Sequence, residues 1–113
     1  MKNVRTIVFA TIARSAAGAQ AASFDCRQDL THVEQEICWD PDLSRLDDKL
    51  AEDYAKLSLD LRTHDQTTKE QRAWMRKRDA CRSISCIRKS YEGRISQVHD
   101  QIETRMPELL LDE

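Results

Sequence analysis

The residues in this chain able to do chemistry are four cysteines, three histidines and a knot of carboxylates, and their spacing decides what each set could do. Cys26 and Cys38 have eleven residues between them, Cys81 and Cys86 have four. A dithiol redox motif has two intervening residues. Arg82 and Arg88 would lower the pKa of a neighbouring free thiol, yet an even cysteine count in a short chain with an export-like leader reads as a disulfide framework. Four cysteines permit three pairings, and loop length favours the local one, Cys26 with Cys38 and Cys81 with Cys86. Across five residues of unbroken helix the rise is about 7.5 Å, more than a disulfide spans. A Cys81–Cys86 bond therefore demands a turn, which Ser83-Ile84-Ser85 supplies.

His32, His64 and His99 fall on three separate elements, none at ligand spacing from another His or Cys, so neither a metal site nor a cofactor is expected. Asp47, Asp48, Glu52 and Asp53 could suggest the paired carboxylates of glycoside hydrolysis. That chemistry needs an acid of raised pKa beside a sugar-binding cleft, and a short chain with Phe24, Trp39, Tyr54, Trp74 and Tyr91 as its aromatics after the leader has little room for one. The cluster reads as a solvated helix face. With no Ser-His-Asp set and no Gly-rich phosphate loop, the sequence reads as a non-enzyme. One charged set reads as internal: Asp47 adjoins the packing stripe of its helix, and Arg78 and Arg94 adjoin the apolar faces of theirs. Buried charges need partners, so an ion pair of Asp47 with Arg78 or Arg94 is predicted.

Helices must position all of these groups. Residues 23–30 lack helical periodicity and read as an extended segment that inserts Phe24 into the core. Thr31 with Glu34 makes a capping box for a short helix with Val33 and Ile37 on its apolar face. Asp40-Pro41 ends that helix and starts the next. Leu43, Leu46, Leu50, Tyr54, Leu57 and Leu61 recur at helical steps and predict a second helix over about 41–62. Thr67 with Glu70 repeats the capping-box spacing and predicts a third helix reaching about Cys81. Its thin apolar face rests on Trp74 and Met75, supported by Ala73 and Ala80, while Arg72, Arg76, Lys77 and Arg78 make the rest basic. A fourth helix from about Ser85 carries Ile87, Tyr91, Ile95, Val98 and Ile102 and stops before Pro107. Nothing reads as a strand. The predicted fold is all-α, a small antiparallel helical hairpin or bundle of three to four helices with two disulfides. Trp39, in the bend before Pro41, is expected to cover the first disulfide, the alternative being exposure for a partner.

Residues 1–21 read as a secretory signal: Lys2 and Arg5, an apolar stretch, then small residues closing on Ala19-Gln20-Ala21, with cleavage after Ala21. Asp25 and Phe24 before Cys26 argue against a lipoprotein anchor, and no later run approaches a membrane span. One domain, 22–113, is left. Lys plus Arg falls from 18 to 15 against 20 acids, a formal charge of −5. An acidic chain argues against nucleic-acid binding and leaves cationic proteins as partners.

The ordered set Phe24-Asp25-Cys26, Glu34, Ile37-Cys38, Asp40-Pro41-Asp42-Leu43 and Leu46-Asp47 resembles the opening of the LprI-like lysozyme-inhibitor family. Gln71-Arg72-Ala73-Trp74, Arg78-Asp79-Ala80-Cys81, Cys86, Tyr91 and Arg94-Ile95 resemble its closing pattern, so the likeness runs from about Phe24 to Val98. The resemblance implies a helical, disulfide-bonded domain exported to the periplasm or secreted. It also implies a protein that inhibits a lysozyme by binding and occluding its cleft. The alternative is a periplasmic structural or stress-related domain that binds another envelope protein. Phe24, Asp47, Trp74, Arg78, Tyr91 and Arg94 look like fold determinants. The resemblance transfers no contact residues and no oligomeric state.

Overall fold

The computed structural model describes residues 23–111, so the leader and its expected cleavage site lie outside the described residues. The first helix, α1, spans His32–Trp39. Its capping box is made in full: the Glu34 amide donates to Thr31 Oγ1 (3.1 Å) and the Thr31 amide donates to Glu34 Oε1 (2.9 Å). The helix buries Val33 and Ile37. Asp40 then serves both helices, its amide donating to the Glu36 carbonyl and its carboxylate accepting from the amides of Asp42 and Leu43. With Pro41 next, the corner turns without a spare residue.

The second helix, α2, is Pro41–Leu57, shorter than the leucine spacing predicts. Its inward face is Leu43, Asp47, Leu50 and Leu57, whereas Leu61 is 81% exposed. Leu61 continues the spacing by coincidence. After Leu57 the chain turns at Asp60, whose carboxylate accepts from the Arg62 amide (3.2 Å) and opens a 3-10 turn, Leu61–Thr63.

That turn feeds directly into α3, His64–Asp79, so the third helix starts three residues before the predicted cap. Thr67 lies inside α3 and is buried, so it caps nothing. A Thr-x-x-Glu spacing marks a helix start only where the chain upstream is not already helical. Trp74 is partly buried, but Met75 and Ala80 are exposed, which leaves α3 with less apolar support than expected. The chain reverses over residues 80–83. Ser83 caps α4, Ile84–Arg105, by accepting from the Cys86 amide (3.1 Å). A second 3-10 turn, Pro107–Leu110, packs Leu109 and Leu110 back against the core, while Leu111 is exposed.

The bundle is all-α with two disulfides, and no strand occurs among the described residues. The principal packing is α4 against α2, which run parallel: Tyr91 early in α4 meets Asp47 early in α2, and Arg105 at the end of α4 meets Thr63 just past α2. The connecting α3 runs back antiparallel to both. The buried apolar set joins Val33 and Ile37 to Leu43, Leu50 and Leu57 and to Ile87, Tyr91, Val98 and Ile102. Both disulfides lie at the end where α2 and α4 begin. Cys26–Cys38 ties the lead-in segment to α1, and Cys81–Cys86 closes the α3–α4 turn, with Cα separations of 5.9 and 5.6 Å.

Candidate functional site

Both α2 and α3 rest on α4 but make little contact with each other. Between them lies a groove of about 260 Å³, with Phe24, Leu50, Tyr54 and Met75 among its walls and Asp47, Trp74 and Arg78 towards its base. Phe24 is half-buried there, packed against the core as its sequence position suggested.

Beneath the groove is a hydrogen-bonded chain. The Tyr91 hydroxyl donates to Asp47 Oδ1 (2.7 Å) and accepts from Arg78 Nη1 (3.1 Å), while the Ser23 amide donates to Asp47 Oδ2. Arg78 also donates from Nε and Nη2 to Asp79 Oδ1 (3.0 and 2.9 Å). Asp47 and Arg78 are each 3% exposed. The predicted direct ion pair is therefore corrected: Asp47 contacts neither arginine, because α2 and α3 are held apart and the tyrosine of α4 fills the gap between carboxylate and guanidinium. Burial, then the Asp47 carboxylate, push the Tyr91 hydroxyl far above its ordinary pKa. It stays neutral and passes a hydrogen bond between two opposite charges. Trp74 completes the cluster, edge-on to Tyr91 with ring centroids 4.9 Å apart and with Arg78 over its face at 5.4 Å. Its indole N–H donates to the Ser90 carbonyl (3.0 Å), so the ring is held from both sides.

Arg94 does not join this set. It is 2% exposed, and its guanidinium donates to two neutral amides, Gln71 Oε1 (2.9 Å) and Gln97 Oε1 (2.8 Å), with Nη2 unpartnered among the described residues. Burial lowers its pKa, partly offset by Glu70 and Tyr54. No cluster of three metal-ligating side chains occurs among the described residues. What Asp47, Tyr91 and Arg78 can do is hold α2, α3 and α4 in register, since the polar groups of these three side chains are already engaged.

On the surface, charge is divided. Leaving out the buried Asp47, Asp53, Arg78 and Arg94, residues 25–53 carry eight carboxylates against three Arg and Lys, net −5, while residues 62–105 carry nine Arg and Lys against six carboxylates, net +3. On the acidic side stands Trp39, 84% exposed. The expectation that it covers the first disulfide is overturned. At about 100° per residue Trp39 lies some 200° from Ile37, opposite the Val33 and Ile37 face. The helical wheel of α1 already contains that signal.

Fold and interior together define a class, the small disulfide-tied helical domain whose buried polar groups serve its own packing. Within that class the chain belongs to a specific family: a family model described as lysozyme inhibitor LprI matches residues 16–106. No curated protein and no solved structure matches the chain. No helix among the described residues is long and apolar enough to cross a membrane.

Proposed function

We propose that this protein inhibits a lysozyme by binding it and occluding its cleft. The observation that carries the reading is the family match over residues 16–106. The acidic α1–α2 side supports it, because a surface of net negative charge attracts a cationic enzyme and speeds encounter. Two disulfides suit an oxidising compartment, and with them we propose export to the periplasm or outside the cell after removal of residues 1–21. The groove is an unsuitable catalytic centre on this reading, because its polar groups are spent on one another rather than presented to a substrate.

The test is a titration of purified, oxidised protein, residues 22–113, into lysozyme digesting cell walls at low and high salt. Dose-dependent inhibition that weakens with salt supports the proposal. Absence of inhibition at micromolar excess, against lysozymes of several types, rejects it in favour of an interaction domain for another envelope protein. Mass determination of the protein recovered from the exporting cell checks processing at Ala21.

A further inference from the structure

We infer that Trp39 is the anchor by which this protein grips its partner, inserted into a cleft with a cationic rim. The inference rests on the inhibitor reading above and adds the residue and the chemistry of the contact. A large aromatic side chain is costly to leave in water, and this one is 84% exposed while Trp74, the other, is partly buried against the core. Exposure alone says little, but the support beneath Trp39 is unusual. Its neighbour Cys38 is bonded to Cys26. The next residue, Asp40, caps two helices at once, and Pro41 fixes the backbone after it. One turn into α2, the buried Ser44 hydroxyl donates to the Ile37 carbonyl (2.6 Å), which bolts the end of α1 to the start of α2. The corner is covalently and conformationally locked, so the indole is displayed on a backbone with little freedom to lose on binding.

The same corner specifies the partner's charge. Glu36 lies one turn before Trp39 on α1, and Asp40 and Asp42 follow it. Arg45 is paired with Asp42, yet the segment 25–53 remains at −5 with its buried Asp47 and Asp53 left out. An exposed aromatic ring on a segment of net negative charge fits a cationic protein with an apolar or sugar-binding slot. Sugar rings present C–H faces that stack on aromatic rings, so a slot built for sugar accepts an indole. Tryptophan is among the residue types enriched at the hot spots that carry most of the binding energy of protein interfaces.

Trp39→Ala and Trp39→Phe test this, alongside Glu36→Gln/Asp42→Asn, in binding and inhibition assays with a panel of lysozymes. Because the side chain is exposed, the Trp39 variants should melt within a degree or two of the parent. Trp39→Ala is expected to weaken binding at least ~30-fold, the scale of a hot-spot residue, with Trp39→Phe between it and the parent. The charge variant should slow association and flatten its salt dependence while changing dissociation little. With 5-fluorotryptophan incorporated, the Trp39 resonance should shift on addition of lysozyme while that of Trp74 stays in place. A parent that inhibits, with Trp39→Ala inhibiting equally well or the Trp39 resonance unmoved, overturns the anchor and leaves the inhibitor reading standing. A parent that neither binds nor inhibits any lysozyme overturns both.

Discussion

The two ends of the bundle are built from different materials. Where α2 and α4 begin, two disulfides, the double cap at Asp40 and the Asp47–Tyr91–Arg78 chain converge within a few turns of one another. Where they end, no disulfide occurs among the described residues. That end relies on the Asp60 carboxylate holding Arg62 (2.9 Å), on Arg105 donating to Thr63 Oγ1 (3.0 Å), and on Gln101 donating to Glu70 Oε2 (3.2 Å). Two of its buried polar atoms, Thr67 Oγ1 and Gln101 Oε1, have no partner among the described residues. The difference teaches that the fold concentrates rigidity where Trp39 is displayed and leaves the opposite end to reversible polar contacts.

Removing the staples should break the comparison most. Replacing Cys26 and Cys38 by Ser opens a loop with a sequence separation of 12, which chain entropy values at about 3 kcal/mol. A fall in Tm on the order of 10–20 °C by circular dichroism is the expected result. The Cys81–Cys86 pair, separated by 5, should cost nearer 2 kcal/mol by the same relation. If the two double variants melt alike, loop closure is not what the staples contribute.

Next in size is Tyr91→Phe, which keeps the ring against Trp74 but strips Asp47 of a donor and Arg78 of an acceptor in a buried site. About 2 kcal/mol of stability should be lost in urea unfolding, because the groups left behind keep their desolvation cost. Replacing Arg105 by Ala at the other end should cost about 0.5–1.5 kcal/mol, and hydrogen exchange should show its effect confined to residues 58–70. Loss spread evenly over the molecule would erase the distinction between the ends.

Acid should sharpen the comparison through direction rather than size. Hydrogen bonding from Arg62 holds Asp60 below the usual carboxylate range against the opposing effect of burial, and hydrogen bonding from Gln66 does the same for Glu70. A depressed folded pKa contributes stability above the unfolded value and loses it as pH falls through the folded value. The distal contacts should therefore weaken as pH drops below about 4. Asp48 runs the other way: burial, then the neighbouring Asp47, raise its pKa, so it takes up its proton more readily folded than unfolded and opposes acid unfolding at its own site. Asp25, lowered by its contacts with Arg27, follows the distal acids. Amide shifts recorded from pH 6 to pH 2.5 should move around residue 48, at the stapled end, before they move around residues 58–64. A simultaneous transition at both ends would show that the charges act globally.

Much of this was legible before any coordinates. The caps at Thr31 and Asp40 and the apolar steps of α2 and α4 depend on neighbours in sequence, and the structure places those helices close to where the spacing put them. The misreadings share a cause. Leu61 and Thr67 each satisfied a local pattern, but the turn at Asp60 decides whether that pattern is inside a helix, and one carboxylate accepting two residues ahead outweighs a spacing. The network is half visible in the sequence: Asp47 and Arg78 adjoin packing faces, while periodicity registers the ring of Tyr91 and not its hydroxyl. Trp39 was misjudged on hydrophobicity although the phase of α1 pointed it outward.

The Ser23 amide meets Asp47 at the stapled end, whereas α4 delivers the chain to Arg105 and Thr63 at the far end. The domain therefore has polarity as a handle. Fixed to a sensor chip or a bead through its C-terminal side, it would stand with the Trp39 corner facing solution. A fusion joined ahead of Ser23 would crowd that same corner, so immobilisation through the two termini should yield surfaces of unequal capacity.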